Sequence, residues 1–234
     1  MGLRPICFTF DDFSDTSTLT LNGSAITTNS GGQTVLRLTE ATRSQAGSVF
    51  TDETFPVSNG FSTFFSFQIT DPGGGVDTSG DGPGADGFVF VIQSNSNTAL
   101  GANGGGMGYL GIPNSVGVEF DTYLNIEFSD SNGNHVGIDV NGSVNSIATN
   151  PALPDLLNNG TVWFAWVDYL PVTQILEVRL STTNVRPSLP ILAAPVDIPL
   201  ILGSQEGFIG FSAGTGALFE KHDILSWEFC SSAI

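Results

Sequence analysis

Glu119 to Asp130 reads EFDTYLNIEFSD, and His135, one of two histidines in the chain, follows five residues later. Glu119, Asp121, Asn125, Asp130 and His135 are the donor types for two kinds of chemistry, a cage for divalent cations or a pair of catalytic carboxylates. A third reading is a solvated strand and turn with no chemical role. Three carboxylates within a few ångströms of one another repel and raise one another's pKa values unless a cation lies among them. A histidine nitrogen with carboxylates suits a transition metal such as Mn2+, Zn2+ or Co2+. Carboxylates with an Asn carbonyl and a backbone carbonyl suit Ca2+, and Asp121 and Asp130 could bridge both ions.

The catalytic reading uses the same side chains differently. β-Sandwich glycoside hydrolases carry two acids on one strand, with carboxyls roughly 5 Å apart for retention. Glu119 and Asp121 alternate suitably, but Tyr123 and Leu124 occupy the places of the third acid in an E-x-D-x-(x)-E pattern. An EF-hand loop is excluded, because DSNGNH has His135 where its sixth-position glycine belongs.

The elements that must position these residues are strands. Short runs rich in Val, Ile, Phe and Thr, bounded by Gly, Asn, Asp or Pro, recur along the chain: CFTF, TVLRLT, FSTFFSFQI, GFVFVIQ, VGVEFDTY, HVGIDV, TVWFAWVDY, ILEVRLS, GFIGFSA and ILSWEFC. Helical signals are scarce, and only Ser44 to Val49 or the region near Asp155 is expected to hold a turn of helix. The pattern predicts an all-β sandwich of two antiparallel sheets with about ten or more strands. The Gly-rich pieces are flanked by strand patterns on both sides, so a single domain is expected over residues 1–234.

Side-chain alternation sets Val116, Val118, Phe120 and Thr122 on one face, with Gly117, Glu119, Asp121 and Tyr123 on the other. In HVGIDV the same rule leaves His135 opposite the apolar face. If these two segments pair, His135 joins the two acids, and the connecting loop delivers Asn125 and Asp130.

Composition bounds the partners. Charged residues are 12% of the chain, and 23 acids against 6 bases give a formal charge of -17. That field repels nucleic acid and anionic membranes and favours divalent cations. The most apolar long run, Leu189 to Leu202, is broken by three prolines and falls short of the roughly 18 to 20 residues a membrane span needs. The start MGLRPICF has no apolar signal core, which leaves open an intracellular protein or one whose signal lies outside this sequence. Cys7 and Cys230 lie in terminal strand patterns. A disulfide would tie them if those strands are neighbours; the alternative is two buried thiols. Asn22, Asn141 and Asn159 begin N-glycosylation motifs that have meaning only in a eukaryotic secretory pathway.

The order E-x-D-x-Y-x-N from Glu119, followed by Asp130 and His135, resembles the metal-binding signature of the legume (L-type) lectins. GADGFVFVI (Gly84 to Ile92), GYLGI (Gly108 to Ile112) and GFSAGTGALFEKHDILSWEF (Gly210 to Phe229) resemble further motifs of that family, in the same order. The resemblance covers Phe8 to Phe229, and GGGMGYLGIPNSVGVEFDTY with SNGNHVGI looks closer to microbial or other non-plant members.

The resemblance implies a concanavalin-like jelly roll and a non-catalytic lectin that binds hexose residues of glycans, and the acidic surface favours neutral glycans. It implies a transition-metal ion, Mn2+ above all, on Glu119, Asp121, Asp130 and His135, and Ca2+ on Asp121, the Tyr123 carbonyl, Asn125 and Asp130. The sugar would meet Asp86 after a cis Ala85-Asp86 peptide, the Gly108 N–H (with Gly106 as a substitute), Asn125, the Tyr123 ring, and the backbone of Ala217 and Leu218. Asp77 and Asp81 could hold an additional calcium, and His222 is expected to be structural. An extracellular or cell-surface setting, as a homo-oligomer or as part of a larger extracellular protein, is expected. A glycoside hydrolase on the same fold and a lectin-like structural or adhesin module without sugar binding remain the alternatives.

Overall fold

The computed structural model describes residues 5–76, 78 and 81–231, which form sixteen strands in two antiparallel sheets. The first sheet runs Leu192–Pro195, Ile175–Ser181, Val162–Leu170, Phe61–Gly73, Phe219–Ser231, Gln33–Thr39, Ile26–Ser30, with Ile6–Phe10 also on Phe219–Ser231. The second runs Ala148–Asn150, His135–Val140, Ser115–Asp121, Gly87–Gln93, Glu206–Gly214, Ala46–Thr51, Leu19–Gly23, with Phe55–Pro56 also on Glu206–Gly214.

The expected all-β sandwich is present, and both sheets share one apolar core. Phe65 and Phe67 of the first sheet meet Phe88, Phe120 and Phe211 of the second, with Phe88 stacked on Phe120 at 4.8 Å and Phe65 edge-on to Phe211 at 5.0 Å. Each such buried ring contributes about 1.5–3 kcal/mol, which makes this aromatic layer the main cement between the sheets. Cys7 faces Cys230 in register, and a disulfide joins them, tying the first strand to the last.

The second sheet is covered on its outer face too. Phe50, Val89, Val91, Met107, Tyr109 and Val144 form a second cluster there, roofed by the loop that follows Gly101. For this reason Gly87–Gln93 and Ser115–Asp121 are buried at every position. Their outward residues therefore sit in a nearly dry layer.

Two expectations about helix are corrected. Ala46–Thr51 is a strand, paired with Leu19–Gly23 and Glu206–Gly214. Gly47 is pressed so close to the Leu38 carbonyl that a Cβ would lie 2.0 Å from it. The region near Asp155 is turn. The α-helix is Ile198–Leu202, inside the proline-broken run: Asp197 accepts the Leu200 N–H at 3.2 Å, Pro199 sits in the first turn, and Gly203 closes the end at φ +62°. Proline in a first turn opens a helix instead of breaking it.

Candidate functional site

Ser115–Asp121 and His135–Val140 pair antiparallel with His135 directly opposite Asp121 and Gly137 opposite Glu119. Glu119, Asp121 and His135 offer ligand atoms within 4.8 Å of one another, in a setting where each is at most 2% exposed. His135 Nδ1 faces the Asn132 carbonyl at 3.1 Å, and Nε2 faces Glu119 Oε1 at 3.1 Å and Asp130 Oδ1 at 4.0 Å. A proton on Nδ1, donated to that carbonyl, aims the Nε2 lone pair into the carboxylates, the arrangement of a metal-ligating histidine. Gly137 makes the room, since a Cβ there would lie 2.3 Å from Glu119 Oε1.

The loop between the strands is folded onto the same acids. Asp121 Oδ1 accepts the Tyr123 N–H at 2.7 Å, Asp130 Oδ2 accepts the Asn125 N–H at 2.7 Å, and Ile126–Phe128 forms a short 3-10 turn. Glu127 is exposed, and its charge adds to the upward pull on Asp130. Burial, then the charges of Glu119 and Asp130, hold the Asp121 carboxyl well above the usual range. Burial also pushes Asp130 up to about 6, against the opposing pull of the Asn125 N–H and His135. His135 is raised: burial pulls it down, but Glu119, Asp130 and the Asn132 carbonyl outweigh burial. A divalent cation turns this mutual repulsion into attraction, and the donor set, with one imidazole nitrogen among carboxylates, fits one.

Beside the cage lies a small pocket of about 90 Å3 lined by Ala85, Asp86, Tyr123, Ala217 and Leu218. Ala85-Asp86 is a cis peptide. Asp86 is 4% exposed, and its Oδ2 is buried without a hydrogen-bond partner, as is Asn125 Oδ1. Burial and then the charge of Glu220 push the Asp86 carboxyl up to about 7, with the Gly216 N–H opposing. Two buried acceptors without protein partners are costly, and a bound water, ion or ligand is what satisfies such atoms.

Gly108 is not at this pocket, which corrects the expectation. It is buried at φ +66°, its N–H donates to the Ala102 carbonyl at 2.8 Å, and a Cβ would lie 2.8 Å from the Ala213 carbonyl. Gly106 is no substitute, because its N–H donates to Asn103. The loop's approach is made by Gly104 and Gly105: a Cβ on Gly104 would lie 3.9 Å from Asp86 Oδ2, and one on Gly105 would lie 2.6 Å from Asn125 Oδ1. Gly104 spends its N–H on Thr215, whereas Gly105 donates to no backbone carbonyl among the described residues.

Asp77 lies outside the described residues. Asp81 accepts the Gly133 N–H at 2.8 Å, so it ties the Gly-rich loop before Ala85 to the loop carrying the cage.

Two buried acids beside the site are marked by no motif in the sequence. Asp139 shares Ser146 Oγ with Glu119, at 2.8 and 2.6 Å, and so braces the cage from behind. Alternation puts it on the face of His135, which was the available signal. Glu220 is fully buried beneath Asp86, where it accepts from Thr122 Oγ1 and from Asn158 Nδ2 at 2.9 Å, and meets His222 Nε2 at 3.2 Å. His222 is itself buried against Thr39 Oγ1 at 2.6 Å, in the structural place expected of it.

A family model described as Legume lectin domain matches residues 6–234. The chain belongs to the legume lectin domain family. Among its relatives, L-type lectin-domain containing receptor kinase VIII.1 of Arabidopsis thaliana is 39% identical over 184 residues, which are 76% of this chain and 24% of that protein. Receptor kinase SIT2 of Oryza sativa subsp. japonica is 32% identical over 250 residues, 95% of this chain and 35% of that protein. The legume lectin domain here thus spans between 24% and 35% of the length of these relatives.

Among solved legume lectins, peanut lectin with a nine-residue peptide is 28% identical with a TM-score of 0.81, covering 99% of both chains. The lectin from Bauhinia forficata in complex with GalNAc is 26% identical with a TM-score of 0.79, covering 98% and 99%. These relatives are plant proteins, so the expected closeness to microbial or other non-plant members finds no support. That expectation rested on the stretches GGGMGYLGIPNSVGVEFDTY and SNGNHVGI, each of which includes loop residues, and loop sequences vary freely between relatives.

Proposed function

We propose that this chain is a non-catalytic carbohydrate-binding domain whose sugar pocket is held in shape by calcium and a transition-metal ion. The observation that carries the reading is the pair of unpartnered buried acceptors, Asp86 Oδ2 and Asn125 Oδ1, on either side of Gly104 and Gly105. Asp86 accepts hydrogen bonds from hydroxyls of a hexose, the Gly105 N–H donates to it, and the Tyr123 ring covers the apolar face of the pyranose. Ala217 and Leu218 close the pocket. Asn125 turns its carbonyl to calcium and its amide to sugar.

The transition-metal ion, with Mn2+ the best match, takes Glu119, Asp121, Asp130 and His135. Calcium takes Asp121, the Tyr123 carbonyl, Asn125 and Asp130. Both ions supply rigidity to the loop they bind, and the sugar contacts come from the chain. Support for a hexose comes from the Bauhinia lectin bound to GalNAc and the winged bean acidic lectin bound to methyl-α-D-galactose, the latter 29% identical with a TM-score of 0.81. The hydrolase reading is disfavoured because Glu119 and Asp121 are 1% and 2% exposed, with no face open to a glycosidic bond.

One hexose in a shallow pocket gives affinity near 1 mM, about -4 kcal/mol, so useful binding needs several sites. A homo-oligomer, or a place in a larger extracellular protein like the receptor kinases among the relatives, supplies them. The disulfide fits an extracellular or cell-surface setting. Among the described residues no helix is long and apolar enough to cross a membrane. The charge of -17 argues against nucleic acid as a partner and favours neutral over anionic glycans. A glycan array run with Ca2+ and Mn2+, beside a chelated control, tests this reading. Binding of neutral glycans that disappears with chelator is expected; no binding in either condition favours the structural or adhesin module instead.

A further inference from the structure

The sequence carries three Asn-x-Ser/Thr motifs, Asn22-Gly23-Ser24, Asn141-Gly142-Ser143 and Asn159-Gly160-Thr161, and the fold treats them differently. N-glycosylation replaces one hydrogen of the Asn amide with a sugar. The Nδ2–C1 bond forms as the bond from C1 to the pyrophosphate of a lipid-linked oligosaccharide donor breaks, and the amide proton leaves to a base. The product therefore keeps only one Nδ2–H, and the sugar must have an exit from the protein.

Asn22 offers neither. It lies within Leu19–Gly23, half-buried, and Nδ2 donates both hydrogens inward, to the Asn97 carbonyl at 2.9 Å and Ser48 Oγ at 3.2 Å. A sugar there would have to stand between this strand and the loop of Asn97, and one of the two bonds would be lost.

Asn159 and Asn141 are different. Asn159 is exposed in the turn before Val162–Leu170. Its Oδ1 accepts the Thr161 N–H at 2.8 Å, which bends the amide back toward the threonine and leaves Nδ2 without a partner among the described residues. Asn141 is exposed at the tip of a turn closed by the Ser143 N–H on the Val140 carbonyl at 3.1 Å, and its side chain likewise has no partner among the described residues.

Asn159 also lines a cleft of about 440 Å3 with Thr70, Asp71, Pro72, Pro83 and Asn158. Its Thr70 hydroxyl and its Asp71 carboxylate, which also pairs with Lys221 at 2.6 Å, suit sugar hydroxyls, its two prolines offer an apolar C–H surface, and its size lies in the range of roughly 300–1,000 Å3 typical of small-ligand sites. Pro83 is three residues before Asp86, so whatever fills the cleft flanks the sugar pocket.

We propose that Asn159 and Asn141 carry N-linked glycans, that Asn22 does not, and that the innermost sugar on Asn159 is seated in this cleft. The proposal requires passage through a eukaryotic secretory pathway, which the test imposes. The 234-residue chain, placed behind a cleavable secretion signal in cultured mammalian cells, is analysed by intact mass and glycopeptide mapping. Thr161→Ala and Ser143→Ala should each remove one glycan mass, and Ser24→Ala none. All three leave the asparagine in place, so none disturbs the Asn22 amide bonds.

Under native conditions peptide:N-glycosidase should release the Asn159 glycan more slowly than the Asn141 glycan, and denaturation should abolish the difference. An unmodified Asn159 or Asn141 in secreted protein, or a glycan lost in Ser24→Ala, overturns the site assignment. Equal native release from Asn159 and Asn141 overturns the seat. Failure of sugar binding in the glycan array leaves all of these readouts intact, so the two ideas fail separately.

Discussion

Asn125 is the residue on which both halves of the site meet. Its N–H is bound to Asp130, its side chain lies against Gly105, and its Oδ1 is buried without a partner. Asp86 is the other unpartnered acceptor, and Asp86→Asn isolates its charge while keeping its shape. Loss of a charged hydrogen-bond acceptor removes about 1.5–3 kcal/mol, a drop of roughly 10- to 150-fold in sugar affinity. The folded carboxyl is raised to about 7 from a usual 3.8, so the folded state binds its proton more tightly, and stability from this group is lost as pH rises between those values. At pH 7.5 the variant is therefore expected to melt at the same temperature or higher, by circular dichroism. A lower melting temperature with sugar binding retained would contradict both parts. The glycines divide in the same way. Gly105→Ala drives a methyl into the Asn125 amide and should abolish binding with little change in melting. Gly108→Ala forces a buried left-handed residue against the Ala213 carbonyl and should destabilise by about 1–3 kcal/mol. The pairing of acids with His135 was legible from a period of two. Which glycine faces the site was not, because in GANGGGMGYLG spacing does not show whose N–H is already spent on a carbonyl.

At the scale of elements, the site is one strand pair plus four loops, and the loops are tied to one another by two acids, the half-buried Asp81 and the buried Glu220. Asp81 reaches from the Gly-rich loop to Gly133, and Glu220 reaches from Phe219–Ser231 to Thr122 and Asn158. Glu220→Ala would leave the Thr122 hydroxyl, the Asn158 amide and His222 without their buried acceptor. Several unsatisfied groups at about 1–3 kcal/mol each make it a severely destabilising change, measurable in urea unfolding. An unchanged midpoint would mean that water replaces the carboxylate. The cage joins Glu119, Asp121 and His135 of the strand pair to Asp130 of the loop, and the metal-free form of Griffonia simplicifolia lectin I-B4 has a similar sandwich, with a TM-score of 0.78 at 28% identity. EDTA is therefore expected to loosen the Tyr123 to Asn134 loop, weaken sugar binding and lower the melting temperature without unfolding the sandwich. A ligand at 100 times its Kd adds about 2.7 kcal/mol, which sets the expected scale. Unchanged binding by thoroughly demetallated protein would sink the metal dependence. The long strands were legible as alternating or continuous apolar runs. Leu19–Gly23, Ile26–Ser30, Phe55–Pro56, Ala148–Asn150 and Leu192–Pro195 were not, because two to five residues, several of them Thr, Asn or Pro, are too few for a period to show.

At the scale of the whole molecule, stability and binding are held at opposite ends of one strand. Phe219–Ser231 begins beside Leu218 in the proposed sugar pocket and ends at the disulfide. At about 3.3 Å per residue, the eleven steps from Phe219 to Cys230 span roughly 35 Å. The disulfide joins residues 223 positions apart, so it constrains nearly the entire unfolded chain, and removing such a bridge costs about 2–5 kcal/mol. Between the two ends lies the aromatic layer of Trp227, Phe65 and Phe211, a rigid packing with Phe211–Trp227 centroids 4.9 Å apart. Such a layer is not expected to pass a loosening of the terminal strand on to the loops around Asp86. The double substitution of Cys7 and Cys230 by alanine should therefore lower the denaturation midpoint while leaving sugar affinity, measured by calorimetry below the unfolding transition, unchanged. A parallel fall in both would show that the first strand supports the pocket through the shared core, and that the two ends of Phe219–Ser231 are mechanically one element.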